Sequence, residues 1–234
     1  MTITAPAPTA PATSTGPRPA VLAAASGILF TVLSFAATIP DIPDDVTAAS
    51  ARAYLVDNAT ALRTFGVVMA LSAAVLVVFV SHLRALMAHA DGRRSYLADV
   101  AYGSGLLCAT WLLVSGAMNS VAAFDGPDSL PDAFVVQYLG LMSVGDMIGT
   151  ASTVLKGALL LAVSMVALRT RFLPRWIGWL GIVLGAMAVG ATFSVVPNPV
   201  TGALFYAGLF GFALWPLPVG IALTVKAIRE RRAG

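Results

Sequence analysis

Charge is scarce in this chain. Only 11% of its 234 residues are Asp, Glu, Lys or Arg, against roughly a quarter in an ordinary soluble domain. So few polar side chains cannot cover the surface of a water-soluble globule. There is one cysteine, Cys108, which excludes an intrachain disulfide framework or a thiolate cluster. There are two histidines, His82 and His89, and no cysteine near them, which is too few for a zinc site of three or four ligands. Axial ligation of a haem between helices is excluded in the same way, because both histidines fall on one helix. Paired carboxylates, a phosphate-binding glycine loop and a dinucleotide turn are all missing from suitable contexts. What is abundant is hydrophobic side chain, 58% of the total. That excludes a disordered chain and leaves an integral membrane protein.

Six runs reach the roughly 20 apolar residues that a helix needs to cross a hydrocarbon core about 30 Å thick. They are residues 20–39, 64–88, 100–124, 147–168, 176–196 and 202–225. Strands of a β-barrel would be half as long and would alternate in polarity, and helices of a soluble bundle would each carry a polar stripe. The expected fold is therefore an all-α integral membrane protein with six transmembrane helices filling residues 20–228. Residues 1–19, rich in Pro, Ala and Thr, read as a disordered cytoplasmic tail, and residues 229–234 as a basic cytoplasmic tail. Ser34-Phe35-Ala36 has the small-x-small form of a signal cleavage site. The apolar run before it is too long for a usual signal peptide, so the segment reads as a retained span.

The connecting segments orient the bundle. Arg18, Arg84, Arg93, Arg94, Arg169, Arg171, Arg175, Lys226, Arg229, Arg231 and Arg232 all fall on one side. Arg52 and Arg63 fall on the other. The positive-inside rule places the first set, and both termini, in the cytoplasm of a bacterial inner membrane. These basic residues hold topology against anionic lipid. They lack the interleaved aromatic platform that bases stack on, so nucleic acid is not an expected partner. Tyr96, Tyr102, Trp176 and Trp179 stand near the cytoplasmic boundaries as interfacial anchors.

Two outer loops carry helix signals. Pro43-Asp44-Asp45 starts one, followed by Val46, Ala49, Ala53 and Val56 at helical spacing. Pro131-Asp132 starts another, with Phe134, Tyr138 and Leu141 on one side. Both are expected to be short interfacial helices.

Catalytic chemistry is poorly represented. Gly103-Ser104-Gly105 resembles the serine motif of intramembrane rhomboid proteases, whose histidine lies on a later helix, and no histidine follows Ser104 here. A hydroxyl without a base has no activator. The sequence therefore reads as a non-enzyme, with no cofactor and no metal.

One residue stands out. Lys156 falls near the middle of the fourth span, where a lysine costs at least about 2.5 kcal/mol. At about 100° per residue, Asp146, Thr150, Thr153 and Gly157 lie towards the same side of that helix. Gly145, Gly149, Thr153 and Gly157 also recur at every fourth position, as in a close-packing seam. The candidate intramembrane polar site is Lys156, Asp146, Thr150, Thr153 and, from the third helix, Asn119. Ser115 and Asp99 are further candidates to face Lys156. Two readings stay open: a polar site inside the bundle, or a packing charge that snorkels or bonds to helix-end carbonyls. In the sixth helix, Pro216 and Pro218 predict a kink.

The stretch Phe172-Leu173-Pro174-Arg175-Trp176-Ile177-Gly178-Trp179-Leu180-Gly181 and the residues to Gly185 resemble the entry into the fifth helix of a bacterial membrane-protein family common in actinobacteria, domain of unknown function 4386. The resemblance implies an inner-membrane protein and supplies no catalytic residues. The functional expectation is a structural, sensory or partner-binding membrane protein, in contact with the lipid bilayer and with another membrane protein or a small ligand. The alternative is a small-solute or lipid transporter with a polar pocket around Lys156.

Overall fold

The computed structural model of the chain describes residues 18–36, 39–43, 45–91, 95–124, 126, 129–195 and 199–233. The side chains of 18, 19, 124, 143, 146, 194, 195, 230, 231 and 233 are not among those described. The expected tail at 1–17, Asp44, and Arg93 and Arg94 lie outside the described residues.

The described residues form helices and no strands. In chain order they are α1 (Arg18–Ala36), α2 (Ala48–Asp57), α3 (Ala59–Asp91), α4 (Tyr96–Phe124), α5 (Asp132–Ala151), α6 (Thr153–Thr170), α7 (Arg175–Ala191), α8 (Pro199–Leu214) and α9 (Pro216–Ala233), with a 3₁₀ turn at Thr192–Val195. Among the described residues, four helical stretches are long and apolar enough to cross a membrane: Ala59–Asp91, Tyr96–Ala123, Asp132–Thr170 and Pro199–Arg229, of 33, 28, 39 and 31 residues. Ala20–Ala36 and Arg175–Ala191 are apolar but shorter. The architecture is compatible with an integral membrane protein.

Local chemistry sets the boundaries. α2 begins later than its acidic signal implies, because Thr47 and Ser50 make a reciprocal cap. The Thr47 hydroxyl accepts from the Ser50 N–H at 3.2 Å, and the Ser50 hydroxyl accepts from the Thr47 N–H at 2.9 Å. The helix buries Ala51, Tyr54 and Leu55 and packs on α5.

Pro131 opens no short piece. It leads into the 20-residue α5, which continues through a turn at Ser152 into α6, so the fourth apolar stretch starts at Asp132 rather than near 147. The turn has a physical cause. Ser152 Oγ donates to Gly149 O at 2.6 Å and Thr153 Oγ1 to Thr150 O at 2.7 Å, and such bonds compete with the helical ladder and bend it.

A second break separates α8 from α9 at Trp215, where Pro216 has no N–H to donate. Thr31 of α1 donates to Ala213 O at 2.9 Å, supplying a partner to a carbonyl beside the break.

Two apolar clusters result. The larger joins α1, α3, α4, α6, α7, α8 and α9 around Phe79, Leu160 and Trp215. The smaller lies at the α2 end and includes Leu55, Leu62, Ala123, Val135 and Leu139. Small residues let the helices approach. A Cβ on Gly66 of α3 would stand 2.5 Å from the Ser120 hydroxyl of α4, and one on Gly157 of α6 would stand 2.8 Å from Gly185 O of α7. Any side chain at either position forces these helix pairs apart.

Candidate functional site

Lys156 sits on the first turn of α6, just after the Ser152 bend. Its side chain is 8% exposed, and Thr153, one turn before it, is fully buried. Cys108 of α4 is 3% exposed and belongs to the apolar cluster that α4 shares with α6. Cys108 lies about 18 Å along α4 from Tyr96 and about 24 Å from Phe124, at about 1.5 Å per residue. The Lys156 side chain is enclosed within the bundle. Among the described residues no hydrogen bond or ion pair reaches Lys156.

Hydrogen bonds of the other expected members that are described run to nearer groups. Thr153 Oγ1 bonds back to Thr150 O and stands 3.4 Å from Thr192 Oγ1, turning towards the 3₁₀ turn after α7. Asn119 Nδ2 donates to Ser115 O of its own helix at 2.8 Å and lies 3.5 Å from the Ser115 hydroxyl. Asp99 is committed to Arg84, with contacts of 2.7 and 2.9 Å. Thr150 lends its carbonyl to Thr153. The side chain of Asp146 lies outside the described residues.

The small-residue seam divides at the bend. Gly145 and Gly149 meet Met118 and Trp111 of α4, whereas Gly157 meets α7. At about 100° per residue, steps of four drift about 40° each, so Gly157 faces a different neighbour from Gly145 and Gly149.

The residues considered for metal and nucleophile chemistry are placed on helix contacts and helix faces. Among the described residues no group of three or more His, Cys, Asp and Glu could hold a metal ion. His82 Nδ1 donates to Val78 O at 2.8 Å on its own helix. Ser104 is buried, and a Cβ on the adjacent Gly105 would meet Val80 of α3 at 2.6 Å, so this motif lies in a helix contact.

Sequence reasoning missed two features. Ser72 and Ser164 bury hydroxyls that have no hydrogen-bond partner among the described residues, and serine in an apolar run carries no signal that separates packing from function. The second is a cavity of about 840 Å³ between the α6–α7 turn and α9. Arg171, Arg175, Lys226 and Arg229 rim it, and Phe172, Leu173, Pro218 and Ile221 are among its apolar walls. The arginine-rich turn was visible in the sequence. That α9 packs so as to complete a groove with it was not.

Among known proteins, no family model matches this chain, and no curated protein or solved structure does.

Proposed function

We propose that the chain is a six-span protein of the bacterial inner membrane with both termini in the cytoplasm, and that it works without catalysis as a structural, sensory or partner-binding component. The sidedness rests on the one-sided basic residues. Membership of the family of domain of unknown function 4386 is part of the same proposal and rests on the Leu-Pro-Arg-Trp entry into α7.

The observation that carries the non-transporting reading is the enclosure of Lys156. A transport site must admit water and solute from at least one side, and a side chain 8% exposed with its neighbours on other tasks is packed rather than lining a path. A second reading, a small-solute or lipid transporter with its site at Lys156, draws on one specific observation: no described residue neutralises the ammonium, and intramembrane charges commonly mark function.

Cys108 distinguishes the two. It is the chain's single cysteine, buried on α4, which packs against the α6 that carries Lys156. In sealed vesicles, a membrane-impermeant maleimide is expected to leave Cys108 unlabelled, and labelling would establish a water path and favour the transporter. Lys156→Met is expected to yield folded protein that is more stable by about 2 kcal/mol, since a central lysine costs about 2.5–3.5 kcal/mol on insertion. A lower thermal midpoint for this variant would show that the charge is structurally required. Reporter fusions at both termini test the sidedness.

A further inference from the structure

The groove between the α6–α7 turn and α9 joins two kinds of surface. Its rim is cationic: Arg171 and Arg175 come from the turn, Lys226 and Arg229 from α9. All four are exposed. Among the described residues none of the four has an ion pair or a hydrogen bond from its side chain. Other arginines of the chain are committed: Arg52 to Asp132, Arg84 to Asp99 and Arg169 to Asp91. Four free cations on one groove repel one another unless an anion joins them. The walls are apolar, with Trp176, Ile221 and Val225 lining the groove at 59%, 51% and 43% exposure. A soluble anion has no use for such walls, whereas an acyl chain does.

Arg171 adds a separate observation. Its backbone is left-handed (φ 58°, ψ 27°) as it caps α6, its N–H bonding to Ala167 O at 2.8 Å. Glycine is the usual residue there, because an L side chain is strained in this region. An arginine kept at that position is projected from the turn at the rim of the groove.

We propose that this groove binds an anionic phospholipid, and that its four free cations select a headgroup with two phosphates over one with a single phosphate. The proposal rests on the membrane reading above, with this end at the cytoplasmic leaflet, where anionic headgroups meet basic pockets between helices.

The test uses the full chain, delipidated in detergent, with binding of added lipid followed by native mass spectrometry. The probes are cardiolipin, phosphatidylglycerol, phosphatidylcholine and inorganic phosphate. Cardiolipin is expected to bind at least fivefold more tightly than phosphatidylglycerol, and phosphatidylcholine not measurably. Arg175→Gln and Arg229→Gln should each weaken cardiolipin about fivefold, from the roughly 1 kcal/mol per basic residue near an anionic lipid surface. Arg232→Gln, which removes the same charge from α9 outside the groove, should change it less than twofold.

Equal losses in all three variants would overturn the site in favour of diffuse surface charge. Displacement of cardiolipin by millimolar inorganic phosphate would overturn the lipid assignment, and equal affinity for the three lipids would overturn the selectivity. The unmodified chain gives an independent check: cardiolipin affinity should fall steeply between 50 and 300 mM salt, roughly tenfold or more, and a flat response would refute a headgroup held by four cations. Detergent binding does not depend on orientation. An exterior reporter at the C-terminus therefore overturns the topology without touching the site, and lost selectivity overturns the site without touching the topology.

Discussion

At the α2 end of the bundle, polar groups are closed upon one another. Arg52 donates to Leu130 O at 2.6 Å and to Asp132 at 2.8 Å, and Arg63 donates to Ala123 O. The Tyr54 hydroxyl donates to Pro40 O at 3.0 Å, and the Tyr138 hydroxyl to Met118 O. These bonds surround the small apolar cluster of Leu55, Leu62 and Val135. At the α6–α7 end, Arg171, Arg175, Lys226 and Arg229 edge an open groove. The same residue type thus does two jobs. At one end it ties a short helix and a loop to the ends of α3, α4 and α5. At the other its charge is left available.

The comparison breaks first if the α2 end is not a tightly packed cap. Leu55, fully buried, is expected to cost about 3 kcal/mol when changed to Ala, or roughly 6–12 °C in the thermal midpoint for a domain of this size. A loss under about 1 kcal/mol would show that α2 is peripheral. A smaller effect probes the ion pair. Arg52 is 25% exposed and Asp132 is 74% exposed, so screening limits the pair itself. The bond to Leu130 O adds to it, and Arg52→Gln should cost about 1 kcal/mol in all. Chemical denaturation in mild detergent reads this.

Arg171→Gly sharpens the contrast from the other end. Relief of the left-handed residue should stabilise the chain by about 1 kcal/mol while lowering its affinity for a diphosphate lipid, and the opposite signs of the two readouts are the signature sought. The smallest effect is expected for Arg175→Gln, within about 0.5 kcal/mol of the unmodified chain. A larger loss would show that this arginine holds the turn together, as Arg52 holds the cap.

Much of the helical pattern was legible because apolar runs of membrane length have few folding options. The break at Trp215 was legible too, since Pro216 cannot donate. The bend at Ser152 was not. Serine and threonine are ordinary in apolar helices, and only the observed bonds to Gly149 O and Thr150 O turn them into a bend. Gly145 and Gly149 turn to α4 while Gly157 turns to α7, because steps of four residues drift about 40° each around a helix. Of the candidate site, the burial of Lys156 was anticipated by its position. Asn119 and Asp99 bond to nearer partners, Ser115 and Arg84, which spacing cannot rank.

By itself the sequence determined that the chain buries long apolar helices and that a single lysine lies deep among them. Both follow from composition and run length, which act through the hydrophobic effect whatever the packing. Tertiary structure alone decided which cations are spent and which are free. Arg169 and Arg171 are two residues apart, yet the first meets Asp91 of α3 and the second edges an open groove against α9. That difference depends on which helix packs beside each side chain, and helix packing is set by the shape of the small-residue contacts rather than by charge.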